Sequence, residues 1–142
     1  MNEKYSDWFK VDLHIHTDLS NKTKSNDYDG QFNIDILKAK LIENDVKLFS
    51  LTDHNIINTK AYENYYSKYA EGDPFLLVGC EFDIKVKQNN GSFLTYHTLL
   101  IFNVDTTDGA EELSNIIEEH FSKEEIELKD RSLTEDQIFE LF

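Results

Sequence analysis

Residues 11–17 read VDLHIHT. Apolar and β-branched residues at 11, 13 and 15 alternate with Asp12, His14 and His16, the period-two pattern of a strand over Val11–His16. Working outward, Thr17–Gln31 is polar, rich in Ser, Asn, Asp and Lys. It reads as a loop long enough to favour a functional role. Phe32–Asn44 carries apolar residues at 34, 37, 41 and 42 and predicts an amphipathic helix. Val46–Thr52 is a second strand. Thr59–Ala70 is a helix with a tyrosine-rich face, ended by Gly72, Asp73 and Pro74. Phe75–Val86 opens with the continuous apolar run of a buried strand, QNNGS at 88–92 is a hairpin turn, and Phe93–Phe102 returns as a strand. Glu111–Phe121 is an acidic amphipathic helix. Ser132–Phe142 is helical behind a capping box built from Ser132 or Thr134 with Glu135 or Asp136. Strands alternating with helices give an α/β fold with mostly parallel pairing plus one antiparallel hairpin. Chemistry in such folds gathers at the carboxyl ends of the strands.

Composition narrows the partners. The chain has 142 residues, which fits one domain, with 14 Lys+Arg against 28 Asp+Glu and a formal net charge of -14. So acidic a surface repels phosphate backbones, unless carboxylates hold metal ions that reverse the local field. Hydrophobic residues at 39% and aromatics at 13% are enough for one core. One cysteine excludes a disulfide scaffold and a cysteine-rich zinc module. The start, MNEKYSDWFK, lacks the apolar stretch of a secretory signal, and the longest apolar runs, FLLVGC and TLLIF, are far short of a membrane span. The expectation is a soluble, cytoplasmic protein with no membrane partner.

The histidines carry the functional signal. His14 and His16 close the first strand, His54 follows the second, Glu81 sits late in the third, and His97 stands in the hairpin's return strand. Residues i and i+2 of a strand point the same way, so His14 and His16 can chelate one ion, with Asp12 on their face. Each feature alone has a plain explanation: two histidines on a solvated face, Asp53 as a helix cap, Glu81 paired with a lysine, His97 with one satisfied hydrogen bond. An acid beside FLLVG is harder to explain, because a buried carboxylate needs a cationic partner. Together, at strand ends, these residues point to a metal site. His120 reads as helix surface, Cys80 as core, and the Tyr62/Tyr65/Tyr66/Tyr69 stripe as packing. The acidic run 111–127 reads as a solvated helix face.

DLHIHT at 12–17, SLTDHN at 50–55, VGCEFDI at 78–84 and YHTLLIFN at 96–103 resemble the first motifs of the PHP (polymerase and histidinol phosphatase) domain. The resemblance covers residues 8–104 or so. It implies a metal-dependent phosphoesterase on a distorted (β/α)7 barrel with two or three divalent ions, manganese, zinc or iron. It also implies that His14 and His16 bind the first ion and that Glu81 bridges it to a second held by His97. His54 would serve a third site, and Asp12 and Asp53 would orient ring nitrogens. Glu81 and His54 are the implied catalytic residues. Asn21 and Lys22 stand where family members often carry a third-site ligand. The later motifs, a histidine and then an Asp-x-His pair, are expected beyond Phe142, so the chain resembles the N-terminal part of such a domain. On that count the second ion has only Glu81 and His97, and the chain alone is expected to be a poor phosphodiesterase with an open sheet edge prone to self-association. The words YDGQFN, SLTDHNIIN and YHTLLIFN are similar to PHP modules on SMC- or ABC-like ATPases of DNA repair and phage defence. The substrate is then a phosphate ester, nucleic acid or nucleotide in the full-length protein. Two alternatives stand beside this: a non-catalytic metal-binding scaffold for such an ATPase, and a stand-alone small-molecule phosphatase.

The hairpin register is open from sequence. A three-residue loop at Gln88–Asn90 sets His97 opposite Glu81, whereas an Asn90-Gly91 turn sets it opposite Ile84, and a bulge reconciles the two. The metal reading requires His97 beside Glu81.

Overall fold

A computed structural model describes residues 8–20 and 31–142. The elements are β1 (Lys10–Ile15), α1 (Ile34–Glu43), β2 (Val46–Leu51), α2 (Thr59–Tyr66), β3 (Phe75–Lys87), β4 (Phe93–Ile101), α3 (Thr107–Lys123), a short 3-10 turn (Leu128–Asp130) and α4 (Glu135–Leu141). The strands form one curled, half-barrel sheet in the order β1-β2-β3-β4. β1, β2 and β3 run parallel and β4 is antiparallel to β3, which is the expected mixture.

β3 is the spine of the sheet. Its first residues pair with β2, from Leu48↔Phe75 to Leu51↔Val78. Further along, Glu81 bridges His54 and Ile84 bridges Leu133 on that same edge. The other edge is covered by β4 from Gly79↔Ile101 to Lys87↔Phe93. Residues 78–84 are also buried on both faces, as suits a strand that opens with the continuous run FLLVG instead of an alternation. Leu76, Val78, Cys80, Phe82 and Ile84 point to one face and join the core with Phe49, Leu51, Tyr62, Tyr65, Ile117 and Phe121. The opposite face carries Gly79, Glu81 and Asp83.

The helices close the apolar face. Asn33 caps α1 by accepting from the Asp35 and Ile36 amides, and Ile34 and Leu41 are buried. Ile42, expected on the same stripe, is instead exposed, since 34, 37 and 41 already complete the buried face. On α2, phenols bolt helix to sheet. Tyr62 Oη donates to the Leu51 carbonyl at 2.9 Å and accepts from the Gly79 amide at 3.1 Å. Tyr65 donates to the Pro74 carbonyl, and Tyr66 to the Leu76 carbonyl at 2.6 Å. The stripe is packing, as expected, except that Tyr69 lies past the helix and is 44% exposed. α2 stops at Tyr66 rather than Ala70 because Asp73, paired with Lys38, accepts the Ala70 amide at 2.7 Å and turns the chain. α3 starts earlier than expected, capped by Thr106 on the Gly109 amide. In α4 the capping box is Thr134 with Gln137, not Glu135 or Asp136, because the reciprocal partner stands three residues past the cap.

Gly79 sits where β2 and β3 press together on the polar face. A Cβ there would lie 2.2 Å from Ser50 Oγ, 2.9 Å from Thr52 Cγ2 and 3.0 Å from Ile101 Cδ1. Gly79→Ala is therefore expected to destabilise by about 1–3 kcal/mol in denaturant unfolding. Ser50 Oγ is buried without a hydrogen-bond partner among the described residues. Adding Ser50→Ala should thus recover part of the loss. Equal stability of native protein and Gly79→Ala would show that the strands can separate at no cost.

Candidate metal centre

Four histidines and one glutamate converge on the polar face of β3. Glu81 is 2% exposed. Its Oε2 lies 2.9 Å from His14 Nε2, 2.8 Å from His16 Nε2 and 3.8 Å from His54 Nδ1. Its Oε1 lies 2.6 Å from His97 Nδ1. The His14 and His16 Nε2 atoms are 3.1 Å apart. The His54 ring stands edge-on to those of His16 and His97, with centroids 4.7 Å and 5.0 Å away.

Strand ends create this convergence. The β1–β2 register runs Asp12↔Phe49 then Ile15↔Leu51, so β1 carries one extra residue around His14. Such an irregularity re-aims side chains. It explains why Asp12, expected to orient a ring, is exposed and accepts from the His14 backbone amide at 3.5 Å instead. Asp53 also departs from the expected ring contact. It is buried and receives Thr17 N at 2.7 Å, Thr17 Oγ1 at 2.8 Å and Ser20 Oγ at 2.6 Å. It therefore anchors the chain immediately after His16. Asn58, the cap of α2, donates to Thr17 Oγ1 at 2.8 Å, tying the same turn to the helix. Asn21 and Lys22, with most of the 17–31 loop, lie outside the described residues.

His54 is fixed by backbone pairing on either side. Glu81 N donates to the Asp53 carbonyl at 3.1 Å, and Asn55 N donates to the Glu81 carbonyl at 2.8 Å. Asn55 holds φ 54°, the left-handed region that asparagine tolerates better than most residues. Its side chain then reads β3 as a strand would: Oδ1 accepts from Asp83 N at 3.0 Å and Nδ2 donates to Asp83 Oδ2 at 2.5 Å. Arg131 reaches the Asn55 carbonyl at 3.1 Å, forks onto Glu118 with two 2.6 Å contacts, and stacks on Phe121. The run expected to be a plain solvated face thus supplies the partner of a buried guanidinium.

The hairpin register matches neither sequence option. Lys87↔Phe93 is the last pair, Gly91 turns with φ 84°, and His97 falls opposite Asp83. Opposed residues share a face, so His97 still stands beside Glu81, and its Nε2 lies 3.0 Å from Asp83 Oδ1. Asp83, Asn55 and Arg131 were not legible as site residues. DHN and EFD stand in the sequence, but their contacts depend on long-range register.

Two groups of donors result, His14/His16/Glu81 and His54/Glu81/His97, with ligand atoms in each within 4.8 Å of one another. Metal–nitrogen bonds of about 2.0–2.1 Å at tetrahedral angles put donor atoms about 3.3 Å apart. The 2.8–3.1 Å spacing in the first group is tighter than that edge, so its donors would part by a few tenths of an ångström around an ion. Imidazoles mixed with a carboxylate suit zinc, manganese or iron. His54 joins the second group and raises its donors to three, where the sequence count gave two. His120 belongs to neither group. It is half-buried on α3, with its ring against Phe121. Cys80 is fully buried, and burial pushes its thiol well above the usual range, as suits a core residue.

The electrostatics favour deprotonated ligands. Burial pulls the His54 pKa below its ordinary value, more than the Glu81 charge raises it. Burial alone would raise Glu81. The His14 hydrogen bond, the His54 charge and the His16 hydrogen bond outweigh it and hold the carboxyl below its usual range. A histidine with a depressed folded pKa binds its proton more readily in the unfolded chain, so stability rises with pH across that window. In metal-free protein, the melting temperature should therefore fall as pH drops below about 6.5. His54→Gln should flatten that slope. An unchanged slope in the variant would assign the pH dependence elsewhere.

The sequence profile of the family described as PHP domain matches residues 12–140. The match runs past the 8–104 span of the motif resemblance and takes in α3 and α4. No curated protein matches the chain.

Proposed function

Because the chain belongs to the PHP domain family, a family of metal-dependent phosphoesterase type, we propose that it hydrolyses a phosphate ester at the Glu81 centre. One observation carries this reading: a single buried carboxylate presents one oxygen to His14 and His16 and the other to His97. Bound divalent ions would supply charge neutralisation at the phosphoryl oxygens and a more acidic water. His14, His16 and Glu81 would hold one ion, and Glu81, His54 and His97 a second. Burial lowers the His54 pKa, which favours the unprotonated ring that a metal ligand requires. His14 and His97 side chains are about half exposed, which leaves the centre open to a substrate from the solvent side. No serine or cysteine nucleophile is needed.

The finer reading keeps the (β/α)7 barrel and a substrate among nucleic acids or nucleotides. It places the domain on an SMC- or ABC-like ATPase of DNA repair or phage defence, a context that rests on the words around the motifs. A Gly-x-x-x-x-Gly-Lys-Ser/Thr sequence in the same polypeptide would support that context.

After dialysis, elemental analysis should find transition metal in the native protein and little in His14→Ala/His16→Ala or Glu81→Gln. Loss of a direct ligand exceeds the 10–100-fold effect of a supporting contact. With manganese or zinc, the native protein should hydrolyse a chromogenic phosphodiester slowly, as a site with ligands still expected beyond Phe142 would, and a chelator or Glu81→Ala should abolish that. Equal metal in native protein and variants would end the metal reading. Metal without hydrolysis would leave the scaffold alternative.

A further inference from the structure

Beyond the metal centre, the polar face of the hairpin continues in a different character. The β3–β4 register is unbroken from Gly79↔Ile101 to Lys87↔Phe93, so alternation puts Lys85 and Lys87 on the same face as Glu81 and Asp83. Across from them on that face stand Thr95 and Phe93. Both lysines are exposed, and Phe93 is 64% exposed. Neither lysine has a carboxylate within ion-pair distance among the described residues. Among the other described lysines, Lys38, Lys40, Lys47, Lys68, Lys123 and Lys129 are each paired with one, while Lys10 on β1 and Lys60 on α2 also lack a carboxylate at that distance but stand singly on separate elements. In a chain with twice as many acids as bases, two neighbouring unneutralised cations form a local reversal of the field.

β4, FLTYHTLLI, has no Lys, Arg, Asp or Glu, so the cations of the hairpin all lie on β3, beyond its pairing with β2, which ends at Leu51↔Val78. An exposed aromatic beside two cations is the combination that holds a single-stranded nucleic acid, base on ring and phosphate on ammonium. The spacing agrees. Antiparallel strands rise about 3.4 Å per residue, so Lys85 lies about 14 Å and Lys87 about 20 Å along β3 from Glu81. The two lysines are about 7 Å apart, close to the separation of successive phosphates in an extended strand.

We propose that the β3–β4 hairpin is a binding arm for single-stranded nucleic acid, with Lys85 and Lys87 on the phosphates and Phe93 stacked on a base, leading the strand to the Glu81 centre. The assignment rests on the phosphoesterase reading and narrows its substrate to a phosphodiester chain several nucleotides long. It also reconciles an acidic protein with a polyanionic substrate, since attraction is confined to one arm.

The test is fluorescence anisotropy of labelled oligothymidylate of about ten nucleotides, with a backbone resistant to hydrolysis, on manganese-loaded protein over a range of salt. Lys85→Gln/Lys87→Gln should weaken binding about tenfold and reduce the salt slope by about 1.4, two phosphates at about 0.7 each. Lys85→Arg/Lys87→Arg should retain both. Phe93→Ser should weaken binding on the order of tenfold with the slope unchanged. All three variants should hydrolyse a small chromogenic diester, which cannot span the arm, at the native rate. Native affinity and slope in the glutamine variant would overturn the proposal, as would displacement of the oligonucleotide by polyglutamate as readily as by unlabelled oligothymidylate. Absence of diester hydrolysis in the native protein would remove the phosphoesterase reading, while the anisotropy comparison would still decide the arm.

Discussion

A carboxylate buried in the middle of a sheet is the constraint from which this structure follows. Removing an ion from water without compensation costs several kcal/mol, far more than one surface contact returns. Glu81 is nevertheless held ionised, with imidazoles from three directions around it. That arrangement dictates the sheet order. His14 and His16 come from the end of β1, His54 from the residues after β2 and His97 from β4, so β3 must lie between β2 and β4 and must run long enough to pair with each. The apolar face exists to hold those strands in place. Core residues of β2 and β3 meet α2 and α3, and the Tyr62 phenol joins β2 to β3 by accepting one strand's amide and donating to the other's carbonyl.

Much of this was legible in the sequence, for identifiable reasons. The histidines showed because period-two alternation and position at strand ends are local properties. Glu81 showed because an acid at the end of FLLVG conflicts with its surroundings. The parallel order showed because strand–helix alternation leaves few topologies. Features set by distant pairing did not show. The extra residue in β1 is defined only against β2, and it moves Asp12 off the rings it was expected to orient. The hairpin register depends on a turn that closes at Lys87↔Phe93, a choice that Asn90-Gly91 alone does not make. Arg131 meets Asn55 across 76 residues of sequence, so no local pattern could have marked either. Asp53 looked like a ring partner because it neighbours His54. Its oxygens are instead taken by the Thr17 amide and by the Thr17 and Ser20 hydroxyls, contacts that no local pattern marks.

The Arg131 cluster is asymmetric in its energetics. The guanidinium is 6% exposed and the Glu118 carboxylate 40%. Losing the glutamate would strand a buried cation, whereas losing the arginine leaves a carboxylate that water can still reach. The network thus stabilises chiefly by satisfying Arg131, whose backbone carbonyl also receives Asn55 Nδ2 at 3.3 Å.

Arg131 is also the chain's one arginine. An arginine-specific protease has a single target here, and in the closed structure that target is clamped under α3 with its side chain against Phe121. Cleavage requires the segment bearing Leu133 to peel away from β3, a motion that also releases Asn55 and with it the backbone beside His54. The rate of that one cut therefore serves as a clock for opening of the sheet on the His54 side, readable as release of the peptide 132–142.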